Sequence, residues 1–251
     1  MNRRTFLALP PAAAWAVAAA KEKAPRGAGW KPLFAGGAMT GWHPQDTRRP
    51  NTWRGSRAVR MDAADATRLA ADEAGGGEYW NGPEGKAANI VSDERFGDLE
   101  LVLEFMVPKG SNSGVYLQGL YEIQIFDSHG VEHPKTSDCG AIYHRWIDGK
   151  PAGGSPPRVN ASRRPGEWQS LYVRFRAPRF DAQGRKTENA RFLRVLLNGQ
   201  LVQENVEVEG GTRSHMPVEE AARNPLMLQG DHGPVAYRGP YVRALAAEGG
   251  R

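Results

Sequence analysis

Cysteine is almost absent from the sequence: Cys139 is the only one among 251 residues. No disulfide can form within the chain, so the stability of the fold must come from a packed core. A catalytic thiol is one interpretation of Cys139, but its small and apolar neighbours (CGAI) favour a buried structural residue.

Long hydrophobic runs are also lacking. The longest apolar stretch lies within residues 1–20, is interrupted by two prolines and is shorter than the ~20 residues that a membrane-spanning helix needs. Arg3 and Arg4 precede it, and a run of alanines at its end supplies a cleavage pattern of small residues. This combination predicts a twin-arginine signal peptide. We therefore expect an exported protein, periplasmic or secreted, with no transmembrane segment in the mature chain.

Neither sign of charge is concentrated in the sequence. The formal net charge is +5, but the lysines and arginines are scattered instead of forming a dense patch. Nucleic-acid-binding proteins usually show such a patch, so we expect no nucleic-acid partner. A hydrophobic content of 40% and a charged content of 24% are typical of a soluble globular protein.

Helical periodicity is rare, and Val218–Arg223 is the only short helical candidate. Short runs of alternating apolar and polar residues, separated by turns, dominate instead. The clearest run is Asp98–Val107, in which five apolar side chains share one face. Asn198-Gly199 lies between two further runs and is a strong hairpin signal. Many short strands and almost no helix predict an all-β sandwich or jelly roll.

The chain shows no internal repeat, and nothing in its composition divides it after the first segments. We predict a single domain over residues 30–246. A signal peptide (1–20) and a charged linker (21–29) precede this domain, and a short tail (247–251) follows it.

The main chemical signal lies in Asn112–Gly130, which reads NSGVYLQGLYEIQIFDSHG. Strand period places Glu122 and Gln124 on one face of the second run, whichever way the sheet is oriented. An acid beside an amide on a rigid strand can donate, accept and shuttle protons on a polyhydroxylated ligand. The solvated face of an ordinary sheet shows the same alternation, so periodicity alone does not separate these two interpretations.

The same segment predicts a β-hairpin, because Val115–Gln118 and Tyr121–Phe126 are closely joined. A three-residue loop would place Tyr116 opposite Glu122. A two-residue loop would move one of the two to the opposite face, since a slip of one residue reverses every side chain. Matching polar residues to each other favours the longer loop.

Several strings, in order from residue 30 to residue 245, resemble the 3-keto-disaccharide hydrolase domain family. They include LFAGGAMTGW, ERFGDLEL, NSGVYLQG, YEIQIFDSHG, CGAIY and LQGDHG. The resemblance implies a concanavalin A-like jelly-roll β-sandwich and a hydrolase or lyase-type glycosidase that acts on oxidised disaccharides or glycosides. In such a substrate, a ketone at sugar carbon 3 acidifies the hydrogen on carbon 2. Removal of that proton forms an enolate, which expels the leaving group from carbon 1 before water adds.

The matched strings also imply the residues of the site. Glu122 is the candidate base or acid, and His232 and Asp127 are the further catalytic candidates. Gln124 and Tyr116 would orient sugar hydroxyls. The other substrate-binding candidates from these strings are Asn112, Gln118 and Gln229.

Three more side chains are candidates for ligand contact. Trp80 and Trp146 occur in polar, glycine-rich stretches, and we expect them to stack on sugar rings, although a large aromatic residue more often packs in a core. His129 directly follows the predicted strand end, and we expect it to reach the site as well.

The sequence identifies no cofactor. His129 and His133 have the i, i+4 spacing of helical metal ligands, but Gly130 and Pro134 disfavour a helix at this place. A divalent metal ion that stabilises an enolate would suit the implied chemistry, so the presence of a metal stays open.

The alternative function is a non-catalytic carbohydrate-binding, lectin-like domain, since folds of this class include lectins as well as enzymes. A lectin needs hydrogen-bonding and stacking groups but no proton-transfer group. A third interpretation is an exported structural or interaction domain whose polar strand faces are simply solvated.

Overall fold

The computed structural model describes Pro25, residues 27–34 and residues 39–246. The predicted signal peptide, most of the predicted linker and the predicted tail lie outside the described residues. Within this part of the chain the regular elements are all β-strands, and no helix that could cross a membrane is found.

The strands are numbered in chain order. They are β1 (Lys31–Pro32), β2 (Trp42–Pro44), β3 (Arg54–Ser56), β4 (Val59–Met61), β5 (Leu69–Ala71), β6 (Glu78–Trp80), β7 (Ile90–Phe96), β8 (Leu99–Met106), β9 (Asn112–Leu117), β10 (Tyr121–Phe126), β11 (Arg145–Ile147), β12 (Lys150–Ala152), β13 (Gln169–Arg176), β14 (Arg179–Phe180), β15 (Lys186–Glu188), β16 (Ala190–Leu197), β17 (Gln200–Val208), β18 (Asn224–Leu228) and β19 (Ala236–Ala244).

Two antiparallel sheets make up most of the fold. The large sheet has eight strands in the order β17-β16-β13-β8-β19-β6-β3, with β1 paired to β19. The small sheet has five strands in the order β10-β9-β18-β7-β2. Three two-stranded ribbons, β4–β5, β11–β12 and β14–β15, accompany them.

The two sheets pack face to face around one hydrophobic core. Strand β8 contributes its alternate apolar residues, including Leu101, Leu103 and Phe105, and β10 contributes Ile123 and Ile125 from the small sheet. Alternation of apolar and polar side chains along each strand is what allows one face to be buried while the other meets solvent. This arrangement confirms the predicted all-β sandwich.

The hairpin formed by β9 and β10 has the register expected from the longer loop. Tyr121 pairs with Leu117, so the connection is Gln118-Gly119-Leu120, and Glu122 lies directly opposite Tyr116. Gln118 and Gly119 both have left-handed backbone conformations, with φ of 55° and 65°. The tight three-residue turn therefore fixes which side chains share a face with Glu122.

Two further local predictions are confirmed. The Asn198-Gly199 turn joins β16 to β17, and both residues have positive φ, as a two-residue hairpin of this type requires. Cys139 is buried in the core at 1% exposure, and burial raises the pKa of its thiol to about 11.

The predicted helix at Val218–Arg223 is wrong, because this segment is not helical. A six-residue segment gains little from helical hydrogen bonds alone, so its tertiary contacts decide its conformation. Glu220 accepts a hydrogen bond from the Tyr121 hydroxyl at 2.5 Å and pairs with Lys186 at 2.6 Å.

Candidate functional site

The small sheet has one face on the core and one outer face. Tyr121, Ile123 and Ile125 of β10 point into the core. The intervening residues, Glu122 and Gln124, therefore lie on the outer face, because successive side chains alternate.

Two cross-strand rows run over this outer face. In the first row, Glu122 is opposite Tyr116, Tyr116 is opposite Met227, and Met227 is opposite Val91. In the second row the side chains are mostly carboxamides, and we call it the amide row: Gln124 of β10, Gln229 after β18, Asn89 before β7 and Gln45 after β2. The amide row offers repeated donors and acceptors, which suits a ligand with many hydroxyl groups.

Gly114 interrupts the amide row on β9, opposite Gln124. A Cβ atom at this position would lie 2.2 Å from Oε1 of Glu122 and 2.9 Å from its Cδ. The Glu122 carboxyl group therefore lies over the backbone of Gly114. The missing side chain of Gly114 makes the room in which the acid is held.

Glu122 is almost completely enclosed, with 2% of its surface exposed. Its backbone N–H donates to the Thr212 hydroxyl at 3.1 Å, and its carboxyl group is hydrogen-bonded to Tyr116. Burial raises the pKa of Glu122 to about 8, although the hydrogen bond with Tyr116 acts in the opposite direction. Near neutral pH the carboxyl group is mostly protonated, and its ionised form is a stronger base than an exposed carboxylate.

Two tyrosine hydroxyls accompany this acid. Burial raises the pKa of Tyr116 well above its usual range, and the charge of Glu122 and their hydrogen bond add to the effect. Burial followed by the charge of Glu122 raises the pKa of Tyr143, while Arg213 opposes this shift. Both phenols therefore stay protonated near neutral pH and act as hydrogen-bond donors.

An aromatic and cationic rim lies next to these tyrosines. The rings of Tyr143 and His144 stack at 4.1 Å, and the guanidinium of Arg213 lies 4.0 Å from the centre of the Trp146 ring. Trp146 is 46% exposed, whereas Nε2 of His144 is buried without a hydrogen-bond partner. Burial and the charge of Arg213 lower the pKa of His144. This rim presents a flat apolar surface beside polar groups, as sugar-binding surfaces require.

A cleft of about 470 Å³ opens on the other side of Tyr116. Met216 lines this cleft and also packs against the cluster of Val91, Tyr116 and Met227, and Tyr116 of that cluster lies opposite Glu122. The other residues that line it are Gln45, Asp46, Arg48, Arg49, Asn89, Pro217, Val218 and Asp231.

The carboxylate of Asp231, which lines the cleft, interacts with two side chains. It is 2.5 Å from Nδ1 of His232 and 2.8 Å from the guanidinium of Arg49. Partial burial raises the pKa of Asp231, but the hydrogen bond of His232 and the charges of His232 and Arg49 outweigh it, so the pKa is lowered. A carboxylate only accepts, so Nδ1 of His232 carries a proton, and Nε2 is the ring nitrogen left for a ligand.

The family described as a 3-keto-alpha-glucoside-1,2-lyase-like domain matches residues 29–243. The chain belongs to this family. Its members' shared description places the chain among carbohydrate-active proteins and confirms the resemblance seen in the sequence. No curated protein matches the chain.

Solved structures with the same fold come from Parabacteroides distasonis. One candidate glycosyl hydrolase is 24% identical, with a TM-score of 0.62 over 87% of this chain and 84% of that one. Another is 22% identical, with a TM-score of 0.52 over 86% of this chain and 99% of that one. At these identities the likeness establishes the fold, a concanavalin A-like jelly-roll β-sandwich, as predicted.

The structure brings together five of the predicted site residues. Glu122, Gln124, Tyr116, Asn112 and Gln229 share the outer face of the small sheet. Three of these side chains have a buried oxygen without a hydrogen-bond partner, namely Oδ1 of Asn112 and Oε1 of Gln124 and Gln229. Orphaned buried acceptors are costly, so they mark places where a ligand hydroxyl can donate.

The structure places Asp127 and His129 beyond the end of β10. Asp127 directly follows the end of β10, five residues from Glu122, which is about 17 Å at the rise of a strand. Its carboxylate accepts the backbone N–H of Gly110 at 2.9 Å and so stabilises a turn. His129 lies exposed in the turn beyond Asp127.

Two side chains that we predicted to contact substrate are buried inside the fold. The side-chain amide of Gln118 is fully buried and donates to the backbone carbonyls of Phe96 and Ala222 at 3.0 and 3.3 Å. Trp80 lies in strand β6, not in a loop, and is 3% exposed in a cluster covered by the β4–β5 ribbon. Neither side chain faces the amide row.

Within the described ranges, no group of three or more His, Cys, Asp or Glu side chains is placed to hold a metal ion. Asp138 accepts hydrogen bonds from Ser128 at 2.8 Å and from the backbone of Lys135 at 2.7 Å. The predicted loop at His129–His133 is confirmed.

Several residues of the site were not predicted from the sequence. They are Tyr143, Arg213, Thr212, Arg49, Asn89 and Gln45. Tyr143 ends the matched string CGAIY, which is the one signal that could have indicated it. The others come from loops distant in sequence, and only the packing of the small sheet places them beside β10.

Proposed function

We propose that this protein cleaves glycosides that carry a ketone at sugar carbon 3, by elimination next to that ketone. The observation that carries the proposal is the enclosed Glu122 carboxyl group over Gly114, with a pKa of about 8 and a tyrosine hydroxyl on it. A ketone makes the neighbouring C–H bond acidic, so one well-placed base is enough to start the reaction.

In the first step the ionised Glu122 takes the proton from carbon 2. The electrons of that C–H bond form the carbon 2–carbon 3 double bond of an enolate, and the ketone oxygen becomes negatively charged. Efficient general bases have a pKa near the working pH, which burial gives to Glu122. A shielded carboxylate also avoids competition from water for the same proton.

Tyr143 is suited to stabilise the enolate oxygen. Its hydroxyl is close enough to Glu122 for the charge of the acid to raise its pKa, so it keeps the proton that it would donate to an anion formed there. The proton of Tyr116 is donated to the backbone carbonyl of Arg213 at 3.3 Å. Donors that are already oriented stabilise a developing charge without rearranging. Arg213 adds a positive charge next to Tyr143.

In the second step the enolate returns its electrons and breaks the bond between carbon 1 and the leaving oxygen. That oxygen needs a proton, and the doubly protonated form of His232 can supply it from Nε2, since Nδ1 keeps its proton on Asp231. Water then adds across carbon 1 and carbon 2, with its hydroxyl on carbon 1 and its proton on carbon 2. The sum of these steps is hydrolysis, whereas release before water addition gives the unsaturated sugar.

Incubation with a 3-keto-disaccharide and with its unoxidised parent tests the proposal. We expect monosaccharide release only from the oxidised sugar, because only the ketone acidifies carbon 2. Mass analysis of the products distinguishes the hydrated sugar from the unsaturated one. Binding without release would contradict the enzyme and support the carbohydrate-binding alternative.

Glu122→Gln is the matching variant, because glutamine keeps the shape of the neutral acid but cannot take a proton. We expect kcat to fall by about 10²- to 10⁴-fold while the affinity for the oxidised sugar is retained. Glu132→Gln, at an exposed loop position, is the control and should keep full activity. Undiminished turnover by Glu122→Gln would remove this residue from the mechanism.

A further inference from the structure

The cleft beside Tyr116 has no part in the proton transfer at Glu122. We infer that it is the subsite for the leaving group, and that it binds a neutral sugar ring through hydrogen bonds. This inference rests on the proposed function and adds to it the chemical class of the second half of the substrate.

The size and position of the cleft match a second ring. Its volume of about 470 Å³ lies within the range of ligand pockets. Met216 lines the cleft and packs against the cluster that contains Tyr116, which lies opposite Glu122. The second ring of a disaccharide whose first ring meets Glu122 can therefore extend along this face into the cleft.

The amide row connects the two places. It begins with Gln124 beside Glu122 and ends with Asn89 and Gln45, both of which line the cleft. Asn89 is already oriented, because its Oδ1 accepts the backbone N–H of Gly230 at 2.9 Å and its Nδ2 donates to Oε1 of Gln45 at 3.0 Å. The Nε2 group of Gln45 is then the donor that remains for a ligand.

Charge in the cleft favours a neutral occupant. Both arginines that line it are neutralised: Arg48 pairs with Asp46 at 2.9 Å, and Arg49 pairs with Asp231 at 2.8 Å. An anionic group would have to displace one of these carboxylates. Hydroxyl groups can instead bond to the outer atoms of intact ion pairs, which remain acceptors and donors.

The position of His232 agrees with this assignment. Asp231 lines the cleft and bonds to Nδ1 of His232, so the proposed proton donor lies beside the ring that the cleft would bind. The sugar ring of the leaving group is then the ring that the cleft binds.

The test compares two substrates that share the reacting ring. One is a 3-keto-disaccharide, and the other is the 4-nitrophenyl glycoside of the same 3-keto sugar, whose flat leaving group has no hydroxyls. Gln45→Met keeps the volume of the side chain and removes its hydrogen bonds. We expect kcat/KM to fall about 5-fold or more for the disaccharide and less than about 2-fold for the nitrophenyl glycoside.

Arg48→Met is a second variant, chosen because this side chain is 89% exposed and its loss does not disturb the fold. We expect the same difference between substrates. Gln183→Met, in the exposed turn between β14 and β15, is the matched control and should change neither value.

Equal losses on both substrates, or no loss on either, would overturn the subsite while leaving the proposed function intact. If the unaltered protein cleaved neither substrate, the proposed function and the subsite would both be overturned. These results are therefore distinguishable in one set of assays.

Discussion

Glu122 is a carboxylic acid held where its neutral form is the stable one. Its carboxyl group is enclosed, and its neighbour Tyr116 is a phenol whose hydroxyl donates to the backbone carbonyl of Arg213 at 3.3 Å. The folded protein therefore binds a proton at this position more tightly than the unfolded chain does. Burial of a single acid makes both the chemistry and the stability depend on pH.

The stability of the protein should fall as the pH rises through the range between 4.5, the usual pKa of the acid, and about 8. Over this range the folded state still holds a proton that the unfolded state has lost. Unfolding therefore releases a proton and becomes more favourable as the pH rises. At 1.36 kcal/mol per pKa unit, the loss amounts to roughly 5 kcal/mol. Glu122→Gln should lack this loss, and urea unfolding of both proteins at about pH 5 and about pH 9 measures it.

The comparison between the two proteins isolates Glu122 from the other titrating groups. The Glu132→Gln protein should follow the unaltered protein at both pH values. If Glu122→Gln also did so, the acid would have an ordinary pKa.

Gly114 determines where the acid lies, so Gly114→Ala should impair activity with the fold retained. Its backbone φ is one that alanine adopts, but the new Cβ would overlap Oε1 of Glu122. The carboxyl group must then move by an ångström or more, and such a displacement costs about 100-fold in kcat. Steady-state kinetics and the pH profile of kcat measure the effect.

Gly210→Ala is the matched control for this substitution. Its φ is also compatible with alanine, and the nearest atom to the new Cβ is 3.6 Å away. Full activity of Gly114→Ala would show that the position of the Glu122 carboxyl group does not matter.

At the scale of elements, the segment from Thr212 to Met216 covers the acid from one side. Thr212 anchors this segment to β10, since its hydroxyl accepts the N–H of Glu122 and donates to the carbonyl of Leu120, both at 3.1 Å. The backbone of Met216 adds a further bond by donating to the carbonyl of Gly119 at 2.9 Å. The wall of the site therefore depends on hydrogen bonds to one hairpin.

Thr212→Val should destabilise the protein by about 1–3 kcal/mol, because valine keeps the shape but leaves the buried N–H of Glu122 without an acceptor. Chemical unfolding at fixed pH measures the change. Thr187→Val is the matched control on the exposed strand β15, where the same exchange should stay within about 0.5 kcal/mol. A cost for Thr212→Val no larger than that of the control would contradict the anchoring role.

The sequence was sufficient to predict the elements in which local pattern and packing agree. Strand β8 and the β9–β10 hairpin are long enough for alternation to show, and the hairpin loop determined that Tyr116 faces Glu122. Strands of two or three residues, such as β2, are too short to show a period. Their positions follow from pairing with distant strands, which local pattern does not contain.

The same reasoning explains which site residues could be predicted. Glu122 and Gln124 share a strand, so their common face follows from the strand period alone. Trp80 was misplaced because the β4–β5 ribbon covers it, and this cover involves residues far away in the chain. Arg213 was missed because its place on Trp146 depends on tertiary packing.

For the whole molecule, one core joins the two sheets. Residues of β8 and β13 from the large sheet and of β10 from the small sheet belong to the same buried cluster. Neither sheet could keep its apolar face dry without the other. The described part of the chain should therefore lose both sheets together.

Leu103→Ala, in the centre of β8, should lower the free energy of unfolding by about 2–5 kcal/mol, because it leaves a cavity in this shared core. Far-UV circular dichroism and tryptophan fluorescence should report the same shifted transition. Val159→Ala, at a position that is 43% exposed, should change stability by less than about 0.5 kcal/mol. Two separate transitions would show that the sheets unfold independently.

The single thiol of Cys139 can report how often the two sheets of this sandwich separate. The side chain is 1% exposed and its pKa is about 11, so an alkylating reagent meets almost no reactive sulfur while the sheets stay closed. Because no second cysteine competes, the rate of labelling counts how often the interior becomes accessible. A bound sugar that stabilises the small sheet would slow the alkylation of Cys139, and this can be measured without introducing a probe.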